Sequence, residues 1–253
     1  MKLEVVTERV RGIPWMSPQQ GAIVYRHIRE TEPDLVLELG SGHGVSAAYM
    51  AAALDENGHG RLVTLDRADS GFAPGDLLSR IALLDRVEVV SRDDSSYTWY
   101  LKERIEAQSD GDGNCSPMYD FCYIDGAHNW TIDGLAVFLV EKLLRPGSWL
   151  LLDDLEWSHA ASPSRTAEPF PLSEAERREP NMRAVFDLLV RQHPSFTTFV
   201  VEDGNWAWAR KAPGENRMYH VRTSRTISGA AASVAWKAWR RMSIIRRARR
   251  GTD

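Results

Sequence analysis

The sequence predicts an α/β fold: a mostly parallel sheet with helices on both faces and an antiparallel hairpin near its C-terminal end. Three observations lead there. Short apolar runs alternate with stretches of helical spacing, the pattern of repeated βαβ units. Two late runs of strand type are split by Asp203-Gly204-Asn205, which reads as a hairpin turn. The 253 residues, 43% of them hydrophobic and 26% charged, suit one large α/β domain or two small ones. A chain of this length buries about 70–75% of the surface its unfolded form exposes, so it needs no covalent staple. Cys115 and Cys122 form no CxxC pair, which argues against a disulfide scaffold or a structural zinc and fits a reduced compartment.

The elements follow in order. Ser17-Pro18 is an N-cap with a proline in the first turn, so a helix starts there and runs to about Glu30. Five strands come next, at Leu35–Leu39, Arg61–Asp66, Val87–Ser91, Phe121–Asp125 and Trp149–Asp153. Helices fill the gaps at Val45–Leu54, Pro74–Leu84, Ser95–Ala107 and Ile132–Leu143, and Arg145-Pro146-Gly147 stops the last of them. After Asp154 the rhythm breaks. His159 to Pro180 holds four prolines and reads as a long loop, a lid-like insertion over residues 159–180. A helix over Asn181–His193 leads into the strands Phe196–Glu202 and Trp206–Lys211. The chain thus divides into an N-terminal helical segment (1–32), a main domain (33–211) and a tail (212–253).

Charge is unevenly spread. From Arg210 onward there are ten Arg and two Lys against Glu215 and Asp253, which leaves residues 1–209 at −14 within a total of −4. An acidic body with a basic tail differs from a dedicated nucleic-acid binder, whose folded domain carries the basic surface. Within the tail, Ala232, Ala235, Trp236, Trp239 and Met242 share one helical face, with Lys237, Arg240 and Arg241 largely off it. That pattern suits docking on the body or on a second subunit in a homo-oligomer; contact with a membrane or nucleic acid is the less favoured alternative. The start, MKLEVVTERVRG, lacks the apolar core of a signal peptide. Ala47 to Leu54 is far short of the roughly 20 residues of a membrane span, and a cytoplasmic location is expected.

The strongest motif is Val36-Leu37-Glu38-Leu39-Gly40-Ser41-Gly42-His43-Gly44, a strand running into a glycine turn and then a helix. Glycine serves where the backbone takes positive φ or must approach a ligand, and the next helix adds free N–H donors. The dinucleotide fingerprint is G-x-G-x-x-G/A; here the third glycine arrives one residue early, which argues against a nicotinamide dehydrogenase. A plain tight turn would use the same glycines.

With an acidic residue ahead of GxGxG, the sequence resembles the class I S-adenosylmethionine-dependent methyltransferases over residues 33–155. The hairpin at 196–211 matches the last two strands of that Rossmann-like fold. The resemblance implies that Glu38, Gly40, Ser41, Gly42 and Gly44 surround the methionine portion of S-adenosylmethionine. It also places Asp66, which ends the second strand, on the ribose hydroxyls, a role that would serve NAD equally. Arg92-Asp93-Asp94-Ser95 matches the family's acidic-polar motif beside the adenine, with Asp94 preferred over Asp93; helix N-capping is the competing explanation.

Tyr123-Ile124-Asp125-Gly126-Ala127-His128 and Leu152-Asp153-Asp154 end the fourth and fifth strands. These strands are neighbours in that fold, about 4.8 Å apart. Asp125, Asp153 and Asp154 therefore converge. Two like charges 4 Å apart repel by about 4 kcal/mol at an effective dielectric near 20, so either one carboxyl keeps a proton or a divalent cation sits among them. Oxygen ligands favour Mg²⁺, Mn²⁺ or Ca²⁺. The set resembles the metal-dependent small-molecule O-methyltransferases, of catechol and natural-product sugar type. The resemblance implies Asp125, Asp153 and Asp154 as metal ligands, Asp125 also bordering the cofactor, and His128 as general base. Catechol-type enzymes carry Lys at the base position, so His128 is a departure. The competing picture has Asp125 on the cofactor and the Asp pair capping a loop.

The expected function is methyl transfer from S-adenosylmethionine to a hydroxyl of a small molecule, with Mg²⁺ or another divalent ion assisting. The rivals are a metal-independent class I methyltransferase acting on a carboxylate, amine or carbon, and a non-catalytic cofactor-binding protein recruited by its tail. His43 is expected to pack beside the cofactor, Trp130 and Trp157 to flank the acceptor site, and Trp206 and Trp208 to be structural.

Overall fold

The computed structural model describes residues 1–92, 97–161 and 172–214. By contacts the chain divides into Met1–Met218 and Tyr219–Asp253; the description below concerns the first unit. Asp94, Ser95, the middle of the expected lid and nearly all of the basic tail lie outside the described residues.

Five strands run parallel in the order the chain pattern demands: β1 (Leu35–Leu39), β2 (Arg61–Arg67), β3 (Val87–Arg92), β4 (Tyr119–Ile124) and β5 (Leu144–Leu152). The hairpin strands β6 (Phe196–Glu202) and β7 (Trp206–Lys211) complete a seven-stranded sheet of order β3-β2-β1-β4-β5-β7-β6, with β7 antiparallel to both neighbours. Asp203 and Gly204 both take left-handed φ, and Asn205 N–H donates to the Glu202 carbonyl at 3.1 Å, which closes the tight turn. The strand order reverses between β1 and β4. A crevice opens beyond the carboxyl ends of such a pair, and ligands of open α/β sheets bind there.

One face of the sheet is covered by α1 (Leu3–Arg9), α2 (Pro18–Thr31), α3 (Val45–Asn57) and α4 (Pro74–Arg80), packed around Val6, Val24, Ile28, Met50, Leu54 and Leu78. Ser17 caps α2 with a reciprocal Gln20 contact. A side chain on Gly21 would fall 2.2 Å from the Tyr49 ring, so α2 and α3 pack closely only because Gly21 has none. The other face carries α5 (Tyr97–Gln108), α6 (Trp130–Leu143) and α8 (Asn181–Ala184) over Leu101, Val137, Val140, Val185 and Phe186.

Several expected boundaries shift. The helix from Pro74 ends at Arg80 rather than Leu84, because Ala82 turns left-handed and a 3-10 turn, Leu84–Arg86, follows. The helix expected over Asn181–His193 is α-helical only to Ala184 and continues as a π-helical turn, Val185–Val190. The stretch 159–180 is not all loop: Ser173 caps a short helix, α7 (Glu174–Arg178). α1 is an unforeseen helix whose buried Val6 and neighbouring Val10 face the core. Arg145-Pro146-Gly147 stops α6 at Leu143 and then lies inside β5, in the irregular stretch between the Tyr119–Leu144 and Phe121–Trp149 pairs. Among the described residues no helix is long and apolar enough to cross a membrane.

Candidate active site

The glycine turn is stitched to strands on both sides. Gly40 N–H donates to the Leu65 carbonyl of β2 at 2.8 Å, and Asp125 N–H donates to the Leu39 carbonyl at 2.9 Å. Gly40 has φ +99°, and a side chain there would stand 1.9 Å from the backbone oxygen of Asp125. Only glycine fits that contact. Gly42 and Gly44 also take positive φ, and Gly44 opens α3 against Pro74. Asp66 is half-buried at the end of β2 and accepts from Gly42 N–H at 2.8 Å and Arg67 N–H at 2.7 Å. Burial pushes its carboxyl up, against those N–H contacts. Bare backbone at three glycines beside an accessible carboxylate fits a nucleoside cofactor with ribose hydroxyls.

Glu38 and Ser41 support this turn from below. Glu38 is fully buried, and the Thr64 hydroxyl donates to its Oε2 and also contacts the Ser41 hydroxyl. Burial raises its carboxyl to about 8, with hydrogen bonds from Ser46 and Thr64 opposing. Glu38, expected around the methionine portion of the cofactor, lies beneath the turn. Above the turn lies a group that no local motif signals. Trp15, with φ +83° and 65% exposed, lays its ring 4.5 Å from His43 and 4.9 Å from Phe72, with its edge 3.2 Å from where a Gly42 side chain would be. His43 packs in that trio.

Two strands away the acids converge, in a different set from the expected one. Asp125, His128 and Asp154 present ligand atoms within 4.8 Å of one another. His128 Nε2 lies 3.4 Å from Asp125 Oδ1 and 3.1 Å from Asp154 Oδ2, yet makes no well-formed hydrogen bond with either. Asp153, expected as the third ligand, is turned into the protein. Tyr123 hydroxyl donates to its Oδ2, while Oδ1 accepts from Asp154 N–H at 2.6 Å and Asn205 Nδ2 at 3.2 Å. His128 takes its place in the cluster. Both His128 (φ +51°) and Asp154 (φ +57°) hold left-handed backbone, which sets their side chains facing each other.

The electrostatics follow from crowding. Burial pushes Asp125 up, and Asp153 well above the usual carboxylate range, with the neighbouring carboxylates adding to the shift of both. Burial would lower His128, but Asp125 and Asp154 outweigh it and hold the imidazole protonated well above its ordinary range. Asp154 sits low because contacts from His128 and Asn205 overcome burial. The loop that carries His128 is braced on both sides. Asp133, fully buried, accepts from the Tyr97 hydroxyl and from Asn129 N–H at 2.7 Å; His159 Nε2 donates to the His128 carbonyl at 3.1 Å. Trp157 lies 4.9 Å from the His128 ring. Trp206 and Trp208 are buried in the core, as expected.

Residues 37–155, just under half of the chain, match the family model described as a methyltransferase domain. No curated protein matches the sequence. The solved structures that resemble it share the fold. An O-methyltransferase from Bacillus cereus in complex with SAH superposes with a TM-score of 0.58 at 20% identity, covering 83% of this chain and 92% of that one. The SAH-bound Podospora anserina methyltransferase PaMTH1 gives 0.58 at 17%, covering 83% and 86%. The O-methyltransferase TomG from Streptomyces achromogenes, described as involved in tomaymycin synthesis and bound to SAM, gives 0.55 at 18%, covering 83% and 89%. The architecture is the Rossmann-like class I methyltransferase sheet, and the resemblance read from the glycine motif holds.

Proposed function

We propose that this methyltransferase-domain chain moves a methyl group from S-adenosylmethionine to a hydroxyl of a small molecule, with a divalent cation at Asp125 and Asp154. One observation carries the reading: the glycine turn and the acid hollow touch, because Gly40 packs directly on the backbone of Asp125. A donor held by the turn and Asp66 would supply its electrophilic methyl beside Asp125. The relatives bound to SAM or SAH, two of them called O-methyltransferases, support the donor and the acceptor atom.

In the transfer, the acceptor oxygen forms a bond to the methyl carbon as the sulfur–methyl bond breaks. Its electrons stay on sulfur, and the hydroxyl proton must leave. A bound cation, Mg²⁺ by the chemistry of two carboxylates, would lower the pKa of the acceptor hydroxyl and orient its oxygen. His128, beside both carboxylates, would take that proton as general base. Asp125 and Asp154 push the imidazole well above its ordinary range, so it would act as a base only when positive charge in the hollow offsets the two carboxylates. Trp157 stands beside the His128 ring, and the braces from Asp133 and His159 hold the loop that carries it, the fixed placement that an in-line transfer needs.

A second reading has His128 as the third ligand instead of the base. It is favoured by the ring nitrogen that stands between two carboxylate oxygens without a hydrogen bond to either. One variant separates the two. As a base, His128→Ala keeps its affinity for Mn²⁺ and loses kcat; as a ligand, it loses Mn²⁺ affinity by roughly tenfold or more. EDTA treatment followed by Mg²⁺ tests the cation itself: activity should vanish and return. Unchanged turnover throughout would leave a metal-independent methyltransferase.

A further inference from the structure

Asn205 follows the left-handed pair Asp203-Gly204 in the β6–β7 turn. Because β7 pairs with β5 up to Ala207–Leu152, the turn overhangs the point where β5 delivers Asp153 and Asp154. The Asn205 amide reaches both: Nδ2 lies 3.2 Å from Asp153 Oδ1 and 3.3 Å from Asp154 Oδ1. Its carbonyl accepts from Leu155 N–H at 3.0 Å, and its side-chain oxygen lies 3.5 Å from Glu156 N–H. One residue of a distant hairpin therefore ties the whole loop after β5.

The distribution of oxygens shows what this does. Both oxygens of Asp153 are engaged, Oδ2 by Tyr123 and Oδ1 by Asn205 and the backbone. At Asp154, Asn205 engages Oδ1, which leaves Oδ2 turned to His128. A neutral amide can hold two carboxylates side by side without supplying the charge that a lysine or arginine would put in the cation's place. We propose that Asn205 is a positioning residue that engages one oxygen of each carboxylate, and so assigns Asp154 Oδ2 to the hollow and keeps Asp153 out of it. This rests on the cation-assisted reading of the site.

The test compares Asn205→Ala with Arg183→Ala. Arg183 pins the same turn, donating to the Gly204 carbonyl at 3.0 Å and to Glu156, but touches neither aspartate. Mn²⁺ binding to the full chain, saturated with S-adenosylhomocysteine, is read from the electron paramagnetic resonance of free Mn²⁺. Asn205→Ala should lose roughly 10–100-fold in Mn²⁺ affinity, the range seen when a residue orienting a ligand is removed, with its S-adenosylhomocysteine affinity intact. Arg183→Ala should stay within about twofold for both, as expected of a partner outside the ligand network. Wild-type Mn²⁺ affinity in Asn205→Ala overturns the proposal, as do equal losses in the two variants, which would mean only a loosened turn. No Mn²⁺ uptake by the wild-type protein overturns the cation reading beneath it.

Discussion

Glu38→Gln tests the account of the cofactor turn through the pH dependence of stability. The Glu38 carboxyl stands at about 8 in the folded protein against 4.5 ordinarily, since it is fully buried and lies near the carboxylates of Asp125 and Asp66. A raised carboxyl gives stability that is complete below pH 4.5 and is lost as pH rises through 8, because the unfolded chain releases the proton first. The rise of 3.5 units limits the loss to about 5 kcal/mol, and about 3 kcal/mol of it is already gone at pH 7. Glutamine keeps an oxygen for the Thr64 hydroxyl and cannot ionise. Its extra N–H groups meet no acceptor that Glu38 uses, a pH-independent cost of about 1–3 kcal/mol. Urea unfolding of both proteins at pH 5, 6, 7 and 8 separates the two effects. The offset between them should change by about 3.5 kcal/mol across that range in favour of Gln, whatever its value at pH 5. Parallel curves would mean that Glu38 is ionised under the turn, and the argument for its neutral role would fail.

The remaining predictions use the same measurement. His27 has its ring 4.7 Å from Phe121 and 4.8 Å from Trp208, its Nε2 has no partner among the described residues, and burial lowers it to about 4. The folded protein thus stays neutral there while the unfolded chain takes up a proton below 6.5, so stability falls as pH drops from 6.5 to 4, by at most about 3 kcal/mol. His27→Leu should flatten that acid limb; an unchanged limb would place the proton elsewhere. Gly40→Ala drives a methyl into the Asp125 backbone 1.9 Å away, whereas Gly42→Ala meets only the movable Trp15 ring at 3.2 Å. Left-handed backbone costs a non-glycine residue about 1–2 kcal/mol, so Gly42→Ala should lose about that much and Gly40→Ala clearly more, with weaker binding of S-adenosylhomocysteine by calorimetry. The reverse order would contradict the packing of the turn on β4.

The legible parts were local. β1, β6 and β7 have the bounds their residue patterns predict, because alternation and a turn signal such as Asp203-Gly204 are complete within a few residues. The glycine turn was legible for the same reason. Trp15 and Asn205 reach the site from distant positions, and no spacing in the chain announces them. α1 puts Val6 and Val10 on its buried side, but its seven residues hold too few turns for a periodicity to show in the sequence. The π-helical turn after Ala184 was hidden by the same apolar spacing that an α-helix shows.

The exchange of Asp153 for His128 has a more specific cause. Side chains alternate along β5: Leu150 and Leu152 enter the core beneath α6, and Leu151 enters the opposite one. Asp153 continues this alternation onto the side of Leu151, where the Tyr123 hydroxyl waits. Counting along the strand would then send Asp154 the other way. It does not go there, because Asp154 leaves strand geometry for φ +57°, and His128, three residues past Asp125, does the same at φ +51°. Such conformations cost non-glycine residues about 1–3 kcal/mol each and persist where surrounding contacts over-determine them. Here the contacts are visible: Asn205 on Asp154, and His159 on the carbonyl of His128. A sequence reports that three acids and a histidine stand near two strand ends. Which of them face one another is decided by two backbone signs, and those signs are held by residues about 30 and 50 positions further along the chain.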